Sequence, residues 1–195
     1  TLEQPQGTGE VDVVLAWTQK FNDRLASIYK VTAEGAPYVF TQFESISGRE
    51  GFPCFDEPGF KTPFALTITV SGDDLAVANT PELSRKKVGA KTEVKFQTTA
   101  PLPVYLLAFA VGPLDVVEGE TLKPNGLREQ PLPIRGIAVK GKGKLLGHSL
   151  EVAAAAVQSL ERYFGLGFPY PKLDLVAVPD FAAGAMENAG MVTFR

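Results

Sequence analysis

The chain has 195 residues, a formal net charge of −3, one cysteine and one histidine. Hydrophobic residues make up 45% of it and charged residues 21%, a balance typical of a globular protein and not of a disordered one. The slightly acidic balance gives no reason to expect nucleic acid as a partner. No apolar run approaches the roughly 20 residues that a membrane span needs.

Cysteine usage and the two ends of the chain give little information on the cellular location. Cys54 is the only cysteine, so no internal disulfide can form. We therefore favour a cytoplasmic location slightly, and a periplasmic or secreted protein stays open. The chain starts at "TLEQPQ", without an initiator methionine or signal peptide, and stops at "MVTFR". We expect a piece of a longer protein, whose oligomeric state is open.

Short segments with alternating or β-branched residues follow one another through most of the chain. They predict strands at 11–17, 27–31, 38–43, 64–70, 74–80, 92–98, 104–112 and 132–139. Gly, Pro, Asn and Asp separate them, as at 71–74 and 123–126. The pattern predicts a β-rich N-terminal domain over residues 1–140, built as an antiparallel sandwich or a saddle-shaped sheet.

The pattern changes after Lys144. A helix is predicted over 145–164, and Gly165 is suited to its C-terminal cap. Its apolar stripe is predicted to contain Leu146, Leu150, Ala153, Val157, Leu160 and Phe164. A mostly buried strand is predicted at 173–179. Residues 141–195 are thus expected to begin a second, α/β domain, and the fold class is mainly β with a C-terminal α/β portion.

Four residues with chemically useful side chains are weak candidates. His148 lacks the further ligands that a zinc site needs and is expected at the helix surface. Cys54 lies between proline and phenylalanine, a setting that favours a buried apolar role over a reactive thiolate. Asp56 and Glu57 precede Pro-Gly, which is turn chemistry, and adjacent residues in an extended segment point to opposite faces.

The segment "GAMEN" at 184–188 is a stronger candidate. Gly184 and Ala185 leave room for the backbone of a ligand to lie alongside as an added strand. A primary ammonium group has three N–H donors and no acceptor, so a site that holds one needs about three acceptors. Glu187, Glu44 and Gln42 supply two carboxylates and one amide oxygen if their segments meet. A cationic ligand would also relieve the repulsion between the two carboxylates.

A plainer interpretation is a surface loop, with Glu187 solvated and Asn188 capping a turn. Residue chemistry alone favours this interpretation, because short motifs arise often by chance.

Longer stretches of the chain resemble one known family. The segment "YPKLDLVAVPDFAAGAMENAGMVTFR" at 170–195 closely resembles the aminopeptidase N family of zinc metallopeptidases, in which "GAMEN" is the exopeptidase signature. "TQFES" with "GFPCFDEPGFKTPFALTI" at 41–69, "VYLLAFAVGPLD" at 104–115 and the predicted helix fit that family in order and spacing.

The resemblance implies a β-saddle domain followed by the start of a thermolysin-like catalytic domain. It implies that Glu187 and Glu44, assisted by Gln42, bind the free α-amino group of a peptide substrate. It also implies that the backbone around Gly184, Ala185 and Met186 lies along the peptide. Asn188 completes the substrate-binding set that we predict.

The same resemblance implies a zinc ion, which members bind through His-Glu-x-x-His and a later glutamate. With one histidine, this chain does not contain that motif. The metal ligands are expected beyond Arg195, no catalytic residue is expected in this chain, and the chain alone is expected to be inactive. Two alternatives stay open: a catalytically inactive peptide-amine binding module, and a domain used only for packing in an oligomer. A bifunctional hydrolase of the same architecture also stays open.

Overall fold

The structure is a computed structural model that describes residues 9–195. The described residues form twelve strands and one α-helix, which confirms the mainly β fold class with a C-terminal α/β portion. Their bounds are β1 (Ser27–Ala33), β2 (Ala36–Gln42), β3 (Thr67–Ser71), β4 (Leu75–Ala78), β5 (Glu82–Val88), β6 (Lys91–Phe96), β7 (Phe109–Gly112), β8 (Leu114–Leu122), β9 (Leu132–Val139), α1 (Gly147–Phe164), β10 (Leu173–Ala177), β11 (Ala185–Met186) and β12 (Met191–Phe194).

The strands form three sheets, with the neighbour orders β1-β2-β7-β4, β11-β12-β10-β9-β8 and β3-β6-β5. The four-stranded and three-stranded sheets are antiparallel throughout. In the five-stranded sheet, β10 runs parallel to β9 and β12, while β8 and β11 are antiparallel edge strands. A parallel pair needs a crossover connection, and α1 supplies it between β9 and β10.

The sheets and the helix are stacked in layers, and β10 shows how. Leu173 packs with Val157 of α1 on one face of the five-stranded sheet. Val176 faces the other way, into a buried cluster that includes Phe40 of the four-stranded sheet. The three-stranded sheet packs on the far side of the four-stranded sheet, in a cluster formed by Val70, Ala76, Ala78, Val94 and Phe96. Alternation along each strand thus places the five-stranded sheet between α1 and the four-stranded sheet.

Most predicted strands are confirmed within a few residues, and four strands were missed: β5, β8, β11 and β12. β5 is exposed along its whole length, so its sequence carries no apolar alternation. β8 lies mostly at half-buried and exposed positions and contains three acidic residues and a glycine, while β11 and β12 have only two and four residues. For the 104–112 segment the prediction was too long, because residues Val104–Leu106 form a 3-10 helix before β7 begins.

The strand predicted at 11–17 was wrong. These residues form no strand in the described chain, and Val14 is 92% exposed. Trp17 is tied down by one hydrogen bond, from its Nε1 to the carbonyl oxygen of Gly51 at 3.1 Å. Alternation alone does not make a strand, because the backbone groups must also find a neighbouring strand.

The helix is confirmed, and Gly165 ends it in the left-handed conformation with φ 65°. The last turns of its predicted apolar stripe were wrong. Leu160 and Phe164 are 54% and 64% exposed, whereas Glu161 is only 3% exposed. Glu161 is buried because its Oε1 accepts from Arg128 Nε at 2.9 Å. The inward face of the last helical turns thus carries Glu161. Leu160 and Phe164 line an open groove of about 440 Å³ instead.

The predicted division of the chain at residue 140 stays a prediction. The five-stranded sheet combines β8 and β9, which precede that point, with β10, β11 and β12, which follow it.

Candidate functional site

The segment around 184–188 forms one arm of a hairpin. β11 has two residues and pairs antiparallel with β12, with Ala185 opposite Phe194 and Met186 opposite Thr193. The backbone N–H of Arg195 extends the pairing by donating to the carbonyl oxygen of Gly184 at 3.1 Å. β11 is the edge of its sheet, and no strand within residues 9–195 pairs with its other side. That side is free to accept an extended chain as a further strand.

The first half of this hairpin is open to solvent. Gly184, Ala185 and Glu187 are all exposed, and only Met186 is anchored, at 1% exposure. A Cβ placed on Gly184 would meet nothing within 4 Å, and its φ lies outside the left-handed region. The fold of this chain therefore does not require glycine at position 184. Space over the backbone is what glycine provides there.

The second half is buried. Asn188 is 2% exposed, and its Nδ2 donates to Thr193 Oγ1 at 3.3 Å. Its carbonyl oxygen accepts from Met191 N at 3.0 Å, which closes the turn. Gly190 adopts φ 68°, a conformation that other residues rarely take. The side chain of Asn188 is thus buried against β12, and its assignment to the substrate-binding set stays a prediction.

Gln42 and Glu44 lie at and just after the end of β2. Gln42 is 8% exposed, and its Oε1 is buried with no hydrogen-bond donor within the described residues. Such a group is costly to bury, because it has lost water and gained nothing in return. Glu44 is exposed. Over residues 9–195, neither Glu44 nor Glu187 takes part in an ion pair.

Two buried clusters connect the β2 segment with the hairpin. Phe40 and Met186 belong to one of them, and Phe43 and Ala189 belong to the other. The chain on either side of Gln42 and the chain on either side of Glu187 therefore pack into the same two clusters. Convergence of the three acceptor groups on one ligand stays a prediction.

The weak candidates lie elsewhere, in settings that explain them. His148 is exposed in the first turn of α1, as predicted. Cys54 is half-buried instead of buried, and burial raises the pKa of its thiol, which disfavours the reactive thiolate. Asp56 is 2% exposed and accepts from Arg49 Nε at 3.1 Å, whereas Glu57 is exposed. Asp56 and Glu57 thus have opposite exposures, as expected for neighbours in an extended segment.

Sequence reasoning missed two buried polar residues behind the hairpin. Lys172 is 2% exposed, and its Nζ lies 2.9 Å from Asp174 Oδ2. Burial lowers the pKa of Lys172 to about 8, although the Asp174 charge opposes that change. The signal was a lysine and an aspartate two positions apart in the apolar segment "PKLDLVAV". Asn79 is the second, and it lies just after β4 at 2% exposure.

Arg135 completes the charged group around Asp174. Its guanidinium forms two hydrogen bonds to the carboxylate, from Nε to Oδ1 and from Nη2 to Oδ2, each at 2.8 Å. The bond to Asp174 raises the pKa of Arg135. Asp174 is 0% exposed, so its negative charge is held between two cations.

Neither a cluster of metal ligands nor a membrane-spanning helix is present in the described part of the chain. No group of three or more His, Cys, Asp or Glu side chains in 9–195 is placed to hold a metal ion. No helix in the same range is both long enough and apolar enough to cross a bilayer.

Comparison with known proteins defines the class. Residues 1–106 match the Peptidase M1 N-terminal domain, and residues 148–195 match the Peptidase family M1 domain. The chain therefore belongs to peptidase family M1, which confirms the resemblance seen in the sequence.

Individual relatives are aminopeptidases. The chain is 38% identical to Aminopeptidase M1-A of Oryza sativa subsp. japonica over 96% of its own length and 21% of that protein. It is 36% identical to Aminopeptidase M1 of Arabidopsis thaliana, over 98% of the chain and 21% of the relative. It is 33% identical to Puromycin-sensitive aminopeptidase of Caenorhabditis elegans, over 100% of the chain and 20% of the relative. The chain thus spans about a fifth of the length of these relatives.

Proposed function

We propose that this chain is part of a zinc-dependent aminopeptidase and carries the half of the active site that binds the α-amino group of a peptide. Family membership and the aminopeptidase relatives support the reaction class. The observation that carries the assignment of the site is Gln42 Oε1, a buried acceptor without a donor, at the end of a segment that shares two buried clusters with the "GAMEN" hairpin.

The chemistry follows from counting donors and acceptors. A protonated amine has three N–H groups and one positive charge. Gln42 Oε1 and the carboxylates of Glu44 and Glu187 offer three acceptors, and the positive charge offsets the repulsion between the carboxylates. Charged hydrogen bonds of this kind are stronger than neutral ones.

The peptide backbone is proposed to lie along the open side of β11, next to Gly184 and Ala185. Backbone hydrogen bonds in this arrangement are independent of side-chain identity, so they hold many sequences in the same register. With the amine fixed at one end, the first peptide bond lies at a constant distance from the anchor. One residue is then removed at a time.

Zinc would supply the Lewis acid and the activated water of a metallopeptidase. The residues of this chain do not fit a zinc site: it has one histidine, and the described part holds no ligand cluster. We therefore place the zinc ligands in the rest of the protein. The chain alone is expected to be inactive, even with zinc added.

The test compares the full-length protein with two variants, Glu187→Gln and Glu44→Gln, on an aminoacyl-anilide. Each variant removes one charged acceptor and keeps the shape of the side chain. The transition state should therefore lose about 2–4 kcal/mol of stabilisation, which lowers kcat/KM about 30-fold to 1,000-fold. The exposed Glu57→Gln serves as the control and should have no effect. Unchanged kinetics in both variants would eliminate the amine-binding role.

A binding measurement beside this assay separates the alternatives. Binding of free-amine peptides without any turnover in the full-length protein would favour the inactive binding module. Absence of both binding and turnover in the full-length protein would favour a domain used only for packing. Turnover by the 195-residue chain itself would contradict the assignment of the metal site to the rest of the protein.

A further inference from the structure

The turn that follows Glu187 is held from inside the protein by two side chains. Asn79 Nδ2 donates to the carbonyl oxygen of Ala189 at 2.9 Å. Lys172 Nζ donates to the carbonyl oxygen of Gly190 at 2.9 Å. These carbonyl groups are the second and third after Glu187 in the chain. We use the name carbonyl clamp for Asn79 and Lys172 together with the two carbonyl oxygens that they bind.

Asn79 uses its whole side chain for this purpose. Besides Ala189, its Nδ2 donates to the carbonyl oxygen of Leu106 at 2.8 Å, and its Oδ1 accepts from Ala108 N at 2.7 Å. A primary amide is the side chain that offers two donors and an acceptor on one planar group. Asn79 thereby connects the end of β4, the 106–108 loop and the hairpin turn. An aspartate of the same shape would set a carboxylate against two carbonyl oxygens.

Lys172 binds the next carbonyl group of the same turn. It is bound to Asp174, whose carboxylate is also held by Arg135, so its ammonium group is fixed before it reaches Gly190. The backbone N–H of Asp174 donates to the same Gly190 carbonyl oxygen at 3.0 Å. A buried ion pair is weak evidence for stability, since apolar residues often stabilise a core as well or better. We therefore assign the charged group of Lys172, Asp174 and Arg135 to holding the turn at Gly190 in one conformation.

No free space is left at the point where the three segments meet. A Cβ on Gly190 would lie 2.7 Å from the carbonyl oxygen of Asn79 and 3.1 Å from that of Lys172. The turn therefore cannot shift without moving β4 or β10. Glu187, by contrast, is exposed, and its carboxylate has no ion-pair partner among residues 9–195.

We propose that Asn79 and Lys172 are positioning residues, which fix the Asn188–Gly190 turn and through it the place at which Glu187 meets the amine. This proposal rests on the proposed function of Glu187. The carbonyl clamp touches no substrate. It limits the entropy that Glu187 would otherwise lose on binding a ligand, which is how a rigid supporting shell strengthens a binding site.

The experiment uses the full-length protein with Lys172→Met and Asn79→Asp. Both changes nearly conserve side-chain size and remove the donors to the turn. The matched control is Glu161→Gln, which weakens the buried pair with Arg128 at 2.9 Å; the hydrogen bonds of Glu161 go to Asn125, Arg128 and Phe168 and not to the turn. Competitive inhibition constants are measured for a dipeptide amide with a free amine and for its N-acetyl derivative. Hydrogen exchange of the 187–191 amides is measured in parallel.

We expect Lys172→Met and Asn79→Asp to weaken binding of the free-amine inhibitor about tenfold and to leave the acetylated one unchanged. KM should rise more than kcat falls, and exchange at 187–191 should accelerate. Lys172→Arg, which keeps the charge and the donors, should restore part of the discrimination. Glu161→Gln should lower the melting temperature without changing discrimination or exchange at the turn.

If both clamp variants lose stability like the control but keep wild-type discrimination and exchange, the positioning role is overturned. If one of the two variants does not fold, the discrimination and the hydrogen exchange of the other variant test the positioning role. If the wild-type protein does not discriminate free from acetylated amines, the proposed function fails first. Hydrogen exchange then judges the carbonyl clamp alone, and unchanged exchange overturns it.

Discussion

The two halves of the "GAMEN" hairpin are neighbours in sequence but differ in what determines them. From Gly184 to Glu187 the chain is exposed apart from Met186, and it meets no second strand on its outer side. From Asn188 to Met191 it is buried and hydrogen-bonded to three other segments, at Asn79, Leu106 and Lys172. The fold therefore fixes the second half, whereas few contacts within residues 9–195 fix the first half, as the proposed peptide-binding role requires. A binding segment on a rigid base has this division.

Alanine substitution of the two glycines, Gly190 and Gly184, tests this difference most directly. Gly190→Ala should destabilise the protein by about 3 kcal/mol, because alanine disfavours a positive φ and its Cβ would overlap the Asn79 carbonyl oxygen. Gly184→Ala should change the free energy of unfolding by no more than about 0.5 kcal/mol. Urea unfolding of the chain measures both.

Gly184→Ala also has a functional readout. In the full-length protein it should weaken peptide binding about tenfold while stability is kept, because the methyl group occupies the space over β11. Equal destabilisation by the two alanines would remove the distinction between the halves of the hairpin.

A second, smaller contrast is available at two adjacent residues. Asn188→Ala should cost about 2 kcal/mol, because it leaves a cavity and removes the hydrogen bond to buried Thr193. Glu187→Ala should leave the free energy of unfolding unchanged to within about 0.5 kcal/mol, because the side chain is exposed. Thermal melts of the two variants provide the check. A stable Asn188→Ala variant would mean that the turn does not depend on this side chain.

The third prediction concerns pH and the fixed half of the hairpin. Lys172 has a pKa lowered from 10.5 to about 8 in the folded protein, so between these values the unfolded chain binds more protons than the folded one. Stability from this group therefore rises with pH between about pH 8 and the ordinary lysine pKa of 10.5. Urea unfolding at several pH values measures the slope, which Lys172→Met should abolish.

The pH window has an upper limit set by a second residue. Burial raises the pKa of Tyr29 above its ordinary value of 10.0, and the Asp180 charge adds to this. Its effect on stability has the opposite sign and begins near pH 10, where the unfolded chain loses its tyrosine protons first. A wild-type slope that survives in Lys172→Met would assign the effect to another group.

Much of the fold was predictable because local patterns coincide with tertiary burial. The alternation at 64–70 predicted a strand, and in β3 Val70 is buried while its neighbour Thr69 is exposed. Gly165 predicted the end of α1. The failures came where local pattern and tertiary contact disagree. The segment 11–17 alternates but finds no strand to pair with, and β5 pairs without any apolar alternation.

The site divides in the same way. Residue type and order were enough to identify the family, the segments that carry Gln42, Glu44 and Glu187, and the acceptor count that suits an amine. The three-dimensional fold was needed to show that β11 is an edge strand, that Asn188 is buried, and that Asn79 and Lys172 bind the turn behind Glu187. Asn79 and Ala189 are 110 positions apart. Contacts over such separations depend on how the sheets stack, and no local pattern in a single sequence specifies them.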